Sequence, residues 1–139
     1  AMEFTEDKRK EAGRQFVDVG IAEETAVALA SGIAANGGKP VYGVYSSFIQ
    51  RTFDQISQDL CIDKNPATIV IFAGSVYGMN DVTHLGLYDM PMLGNIPNLV
   101  YLAPTTKEEY LACFGSSTCS QIATLYPLAT SLFRYPSTA

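Results

Sequence analysis

The sequence predicts an α/β protein: a doubly wound, mostly parallel sheet with helices on both faces. Three observations predict it. Short runs rich in β-branched and aromatic residues alternate with stretches whose apolar residues recur at helical spacing. One run, ATIVIFAG at 67–74, is continuously apolar and bounded by turn residues, as in a strand buried on both faces. The chain has 139 residues with no internal repeat, low-complexity segment or linker, which suits one domain with its own core.

Taken in order, Ala-Met at 1–2 reads as a remnant of expression, and 1–15 as a polar segment that is helical at best. Within it, EDKRKE at 6–11 mixes charges and reads as a solvated helical turn. The domain is taken as 16–139. FVDVG, 16–20, is a short apolar run ended by Gly20 and reads as a strand. From Ala22 to about Asn36 the chain is alanine-rich and free of proline, so it predicts a helix. ANGGKP then stops it, with glycines suited to a left-handed cap and Pro40 beyond. VYGVYS, 41–46, reads as the second strand. SFIQRTFDQISQDLC, 47–61, places Phe48, Phe53, Ile56 and Leu60 on one helical face until Asn65-Pro66 breaks the pattern. After the strand at 67–74 comes a loop, SVYGMNDVTHLG, then a short helical piece at Leu87–Leu93 and a fourth strand, NLVYLAP. Thr105 or Thr106 can cap a helix from Lys107 to Gln121 with Glu108 and Glu109 in its first turn. ATSLFRYP, 129–136, reads as a last strand.

Composition excludes several functions. The net charge is −5 and no basic stripe appears, which argues against nucleic acid. No run is apolar for long enough to span a bilayer, so no membrane partner is expected. Cys61, Cys113 and Cys119 are odd in number and lack CxxC spacing. They read as reduced thiols of a cytoplasmic protein, and with one histidine they are too few for a zinc site. The helix after Ala22 is apolar nearly all round, through Ala26, Val27, Leu29, Ala30 and Ile33. A helix of that kind is covered all round, which predicts a second subunit or domain against its outer side.

The candidate chemistry starts from Glu23 and Glu24. First-turn carboxylates are explained by the helix macrodipole alone, worth roughly 0.3–1 kcal/mol each. Their apolar setting offers another reading, a desolvated acid with a tuned proton affinity. Adjacent helical residues point about 100° apart, so at most one of the two would face a partner. No GxGxxG, Walker-type or GxSxG motif occurs. His84, the sole histidine, sits in a loop where a parallel strand would end, which is where open α/β sheets bind ligands. A lone loop histidine is also often merely exposed. Tyr45, Phe48 and Arg51 stand at a strand-to-helix junction, either as an aromatic shelf for a flat ligand or with Phe48 simply opening a core face.

In this order the pieces FVDVGIAEETAVALASGIAANGGKPVYGVYSSFIQRTFDQISQDL, THLGLYDM, IPNLVYLAPT and RYP resemble the pyrimidine-binding domain of 1-deoxy-D-xylulose-5-phosphate synthase, of the transketolase superfamily. The resemblance covers nearly all of 15–136, and YSSFIQRTFDQ is its most specific run. It implies that Glu23 hydrogen-bonds N1′ of the aminopyrimidine of thiamine diphosphate, so that N4′ can take the thiazolium proton. It implies that Phe48 stacks on that ring with Tyr45 beside it and Arg51 nearby, and that His84 handles substrate and protons. The implied reaction joins the two-carbon unit of decarboxylated pyruvate to glyceraldehyde 3-phosphate. Mg²⁺ and the diphosphate would be held by a GDG motif on a separate domain, and no such motif occurs here. The chain is therefore expected to be a fragment or one half of a split enzyme, inactive and metal-free alone, working in a homo-oligomer. Departures fall on the substrate side. DRAG is replaced by IFAG ending in Ala73-Gly74, Asn80 stands where an acid is expected with Asp81 shifted by one, and Ser137 replaces an arginine. They leave open a transketolase-like reaction or a silent interaction module.

Overall fold

The computed structural model describes residues 5–72, 83, 86–117 and 122–125. Its centre is a parallel sheet of four strands, β1 (Val41–Tyr45), β2 (Thr68–Phe72), β3 (Leu99–Leu102) and β4 (Ile122–Leu125). They lie in the order β1-β2-β4-β3, so β2 meets its neighbour β4 by a crossover. The apolar run at 67–74 supplies β2, and Thr68 to Ile71 are all buried. The reason is position: β2 pairs with β1 from Val41↔Thr68 to Tyr45↔Phe72 on one edge and with β4 on the other. The α/β class with a parallel sheet is thus as the alternation predicts.

Helix α1 (Glu6–Ala12) is short and exposed, with Lys10 Nζ 3.0 Å from Glu6. FVDVG is not a strand. Asp18 Oδ1 accepts from the Gly20 N–H at 3.0 Å, and Gly20 turns away with φ 68°. The local side-chain bond competes with sheet pairing and wins. Helix α2 (Glu23–Ala35) follows and ends as ANGGKP predicts. The Gly37 N–H bonds to Ala34 O and the Gly38 N–H to Ile33 O, each at 2.9 Å, with Gly37 at φ 80°. These bonds satisfy carbonyls that the helix end leaves open. Ala26, Val27, Ala30, Ser31 and Ala34 turn inward and are buried, while Leu29 and Ile33 stay partly exposed.

The run after β1 is helical but unevenly wound: α3 (Ser46–Ile49), a 3₁₀ turn (Gln50–Thr52), α4 (Phe53–Gln55) and a π-helix (Ile56–Ile62). The change of pitch rotates the core face. Ile49, Ile56 and Leu60 are fully buried, whereas Phe53, expected on that face, is 41% exposed. Thr52 takes the inner place, its hydroxyl donating to Ile49 O at 2.7 Å. Helix α5 (Asp89–Leu93) precedes β3. Helix α6 (Lys107–Ser117) opens on Thr106, whose Oγ1 accepts from the Glu109 N–H at 3.1 Å. Glu109 reaches back to the Thr105 N–H at 2.8 Å and hydroxyl at 2.9 Å, which holds its carboxyl below the usual range. β4 was not anticipated: four residues carry too little alternation to stand out. The strand expected at 129–136 lies outside the described residues.

Candidate functional site

β1 runs straight into α3 at the carboxyl edge of the sheet, and this junction brings three rings together. Tyr45 closes β1, Phe48 is the third residue of α3, and Phe72 closes β2 as the register partner of Tyr45. Tyr45 and Phe48 meet edge to face, with centroids 6.1 Å apart and planes at 88°. Tyr45 and Phe72 meet at 6.4 Å and 62°. All three are half-buried. Phe48 packs against the core from its margin and is not sealed within it.

Glu23 opens α2 and is buried, whereas Glu24 beside it is half-exposed. The angular offset of neighbouring helical residues separates them as expected. Arg51 Nη1 lies 3.3 Å from Glu23 Oε2, and Arg51 belongs to the turn that directly continues α3. The side chain of Glu23 is 9% exposed and that of Arg51 51%, so the arginine covers the acid from the solvent side. Oε1 of Glu23 has no hydrogen-bond partner among the described residues. Ala22, at the N-cap, offers no side-chain acceptor, and Glu23 and Glu24 stand in the first turn, at the positive end of the helix dipole. Tyr42, half-buried on β1, has its phenol held well above the usual range by burial first and then by the charges of Glu23 and Glu24, with Arg51 opposing.

Sequence reasoning missed Asp89. It is 1% exposed at the start of α5, which packs on α3, and neither carboxylate oxygen has a hydrogen-bond partner among the described residues. Burial, and next the Asp89 charge, raises the Tyr101 phenol above its usual range. LYDM carries no motif that could have flagged it. His84 lies outside the described residues, as do Ala73, Asn80, Asp81 and Ser137. Among the described residues no three His, Cys, Asp or Glu side chains group closely enough to hold a metal, and no helix is long and apolar enough to cross a membrane.

A family model for the transketolase pyrimidine-binding domain matches residues 2–121. The chain belongs to this family. Against curated proteins, this pyrimidine-binding domain is 41% identical over 116 residues to the 1-deoxy-D-xylulose-5-phosphate synthase of Clostridium acetobutylicum, covering 82% of the chain and 19% of that synthase. It is 40% identical over 119 residues to the synthase of Desulforudis audaxviator, covering 84% of the chain and 19% of that protein. With the Clostridium botulinum synthase the identity is 48% over 95 residues, 68% of the chain and 15% of that protein. The domain thus spans a minor part of the relatives it matches. Among solved structures, a split-gene transketolase in an inactive β4 tetramer superposes with a TM-score of 0.75 over 89% of this chain and 42% of that one. Sequence identity there is 19%, so the likeness is one of fold.

Proposed function

We propose that the chain is the pyrimidine-binding module of a thiamine diphosphate-dependent enzyme of the 1-deoxy-D-xylulose-5-phosphate synthase type. It would work on pyruvate and glyceraldehyde 3-phosphate only with a diphosphate-binding domain or subunit that carries Mg²⁺. The observation that supports this best is Glu23: a sheltered carboxyl, one oxygen on Arg51 of the turn that continues the helix of Phe48, the other without a partner among the described residues. The names of the relatives favour the synthase, and the chain's share of their length favours a requirement for a further domain.

The residues present fit an aminopyrimidine. Phe48 would hold one face of the flat ring, with Tyr45 fixing the angle of Phe48. Glu23 Oε1 would hydrogen-bond N1′ and share a proton with it, a bond that shelter from water strengthens. Arg51, on Oε2, would keep the carboxyl from turning. Thiamine diphosphate, when bound, supplies the nucleophilic carbon that protein side chains lack. His84 would serve proton transfer on the substrate side.

The test supplies a diphosphate-binding partner, thiamine diphosphate and Mg²⁺, and measures pyruvate-dependent CO₂ release. Glu23→Gln and Glu23→Ala are expected to lower the rate by at least about 10²-fold, the scale of a lost proton-transfer group. Release indifferent to both substitutions would sink the assignment. A second reading, a catalytically silent module that associates with copies of itself, is favoured by the inactive tetramer of the fold relative and by the exposed Leu29 and Ile33 on α2. No release with any partner, together with stable self-association, would select it.

A further inference from the structure

Gly43 is the one residue of β1 without a side chain, and it shares a strand face with Tyr45 two residues on. A Cβ built on Gly43 would stand 3.0 Å from Cε2 of Phe72. The Phe72 ring therefore leans back from its register partner Tyr45 and lies over the bare backbone of Gly43, in space that any other residue would fill. From that notch it meets Tyr45, and Tyr45 meets Phe48, each near edge to face. Such ring pairs are directional, because the electron-poor edge of one ring seeks the electron-rich face of the next.

The geometry points to Phe72 as a positioning residue: seated in the Gly43 notch, it fixes the tilt of Tyr45 and, through Tyr45, that of the Phe48 ring. The consequence for cofactor affinity rests on the proposed role of Phe48; the relay among the rings does not. A methyl at position 43 needs the Phe72 ring to give way by a few tenths of an ångström, and Tyr45 is the ring next in line. Leucine at 72 leaves the notch unfilled. A methyl at 43 acts on Tyr45 through the Phe72 ring, so with leucine at 72 it has no ring to displace and the two effects are coupled and not additive.

The test has two readouts. The first needs no cofactor: ring resonances of Phe48 in the chain labelled at its aromatic side chains. Gly43→Ala and Phe72→Leu are each expected to shift them, and the double variant to match Phe72→Leu alone. The second is the KM for thiamine diphosphate in the assembly with a diphosphate-binding partner. Gly43→Ala and Phe72→Leu are each expected to raise it about fivefold, with kcat at saturating cofactor nearly unchanged and the double variant no higher than Phe72→Leu alone. Phe48 resonances that ignore both single substitutions, or effects that simply add in the double variant, overturn the relay. If Gly43→Ala fails to fold, Phe72→Leu decides alone by the same resonances. A wild-type assembly that binds no thiamine diphosphate overturns the proposed function, and the resonances still judge the relay.

Discussion

A carboxylate taken out of water without a donor loses several kcal/mol of solvation, and among the described residues none donates to Asp89, buried beneath α3. Asp89→Asn, which removes the charge and keeps the shape, is expected to raise the stability of the chain by about 1–3 kcal/mol in urea unfolding. A lower midpoint would show that the charge itself is held favourably. Cys61 makes a second prediction at this scale. Burial pushes its thiol from 9.0 up to about 11. The folded state therefore keeps its proton where the unfolded chain loses it, so this contribution is whole below pH 9.0 and vanishes as pH climbs through about 11. Cys61→Ala should flatten the early part of that alkaline decline. Tyr42 and Tyr101, also raised, should leave the later part in place. Individual residues were legible where a rule separates neighbours. The helical offset allowed at most one of Glu23 and Glu24 to face a partner, and the resemblance, not the offset, singled out Glu23. Asp89 was invisible, because burial of a polar group is decided by tertiary packing.

Among the elements, α2 is pinned to the π-helix by polar contacts. Ser31 Oγ donates to Asp59 O at 2.8 Å, while Asn65 Nδ2 donates to Ser31 Oγ at 2.9 Å and to Asp59 O at 3.1 Å. Asn65→Ala strips two donors from a half-buried cluster and is expected to cost about 1–2 kcal/mol by urea unfolding. Ser31→Ala should cost less, since Asn65 still reaches the Asp59 carbonyl. The elements that were legible share a signal stronger than their surroundings. ATIVIFAG had composition and length, ANGGKP had glycines at a helix end, and Thr106 had Glu109 three residues on. FVDVG misled because Asp18 diverts the backbone locally, and Phe53 because the winding changes before it.

For the whole molecule, the outward face of α2 decides what company the domain keeps. Leu29 and Ile33, four residues apart, are 40% and 38% exposed on one side of a helix whose other side fills the core. Ile33→Glu is expected to weaken association with a diphosphate-binding partner, or of copies with one another, by sedimentation. It should move the unfolding midpoint of the chain by no more than about 0.5 kcal/mol, as an exposed site does. The family and its sheet could be read from the order of motifs. The loop histidine and the terminal strand lie outside the described residues.

The π-helix has its own bearing on how such a chain can change. Asp63 and Asn65 bond five residues back, to Gln58 and Leu60, so this stretch holds one residue more than ordinary winding needs. Excising Ser57 or Gln58 would bring Ile56 and Leu60 to a spacing of three, which still keeps both on one side. Deletion of a single residue should therefore be absorbed here while the sheet and the aromatic junction stay in register.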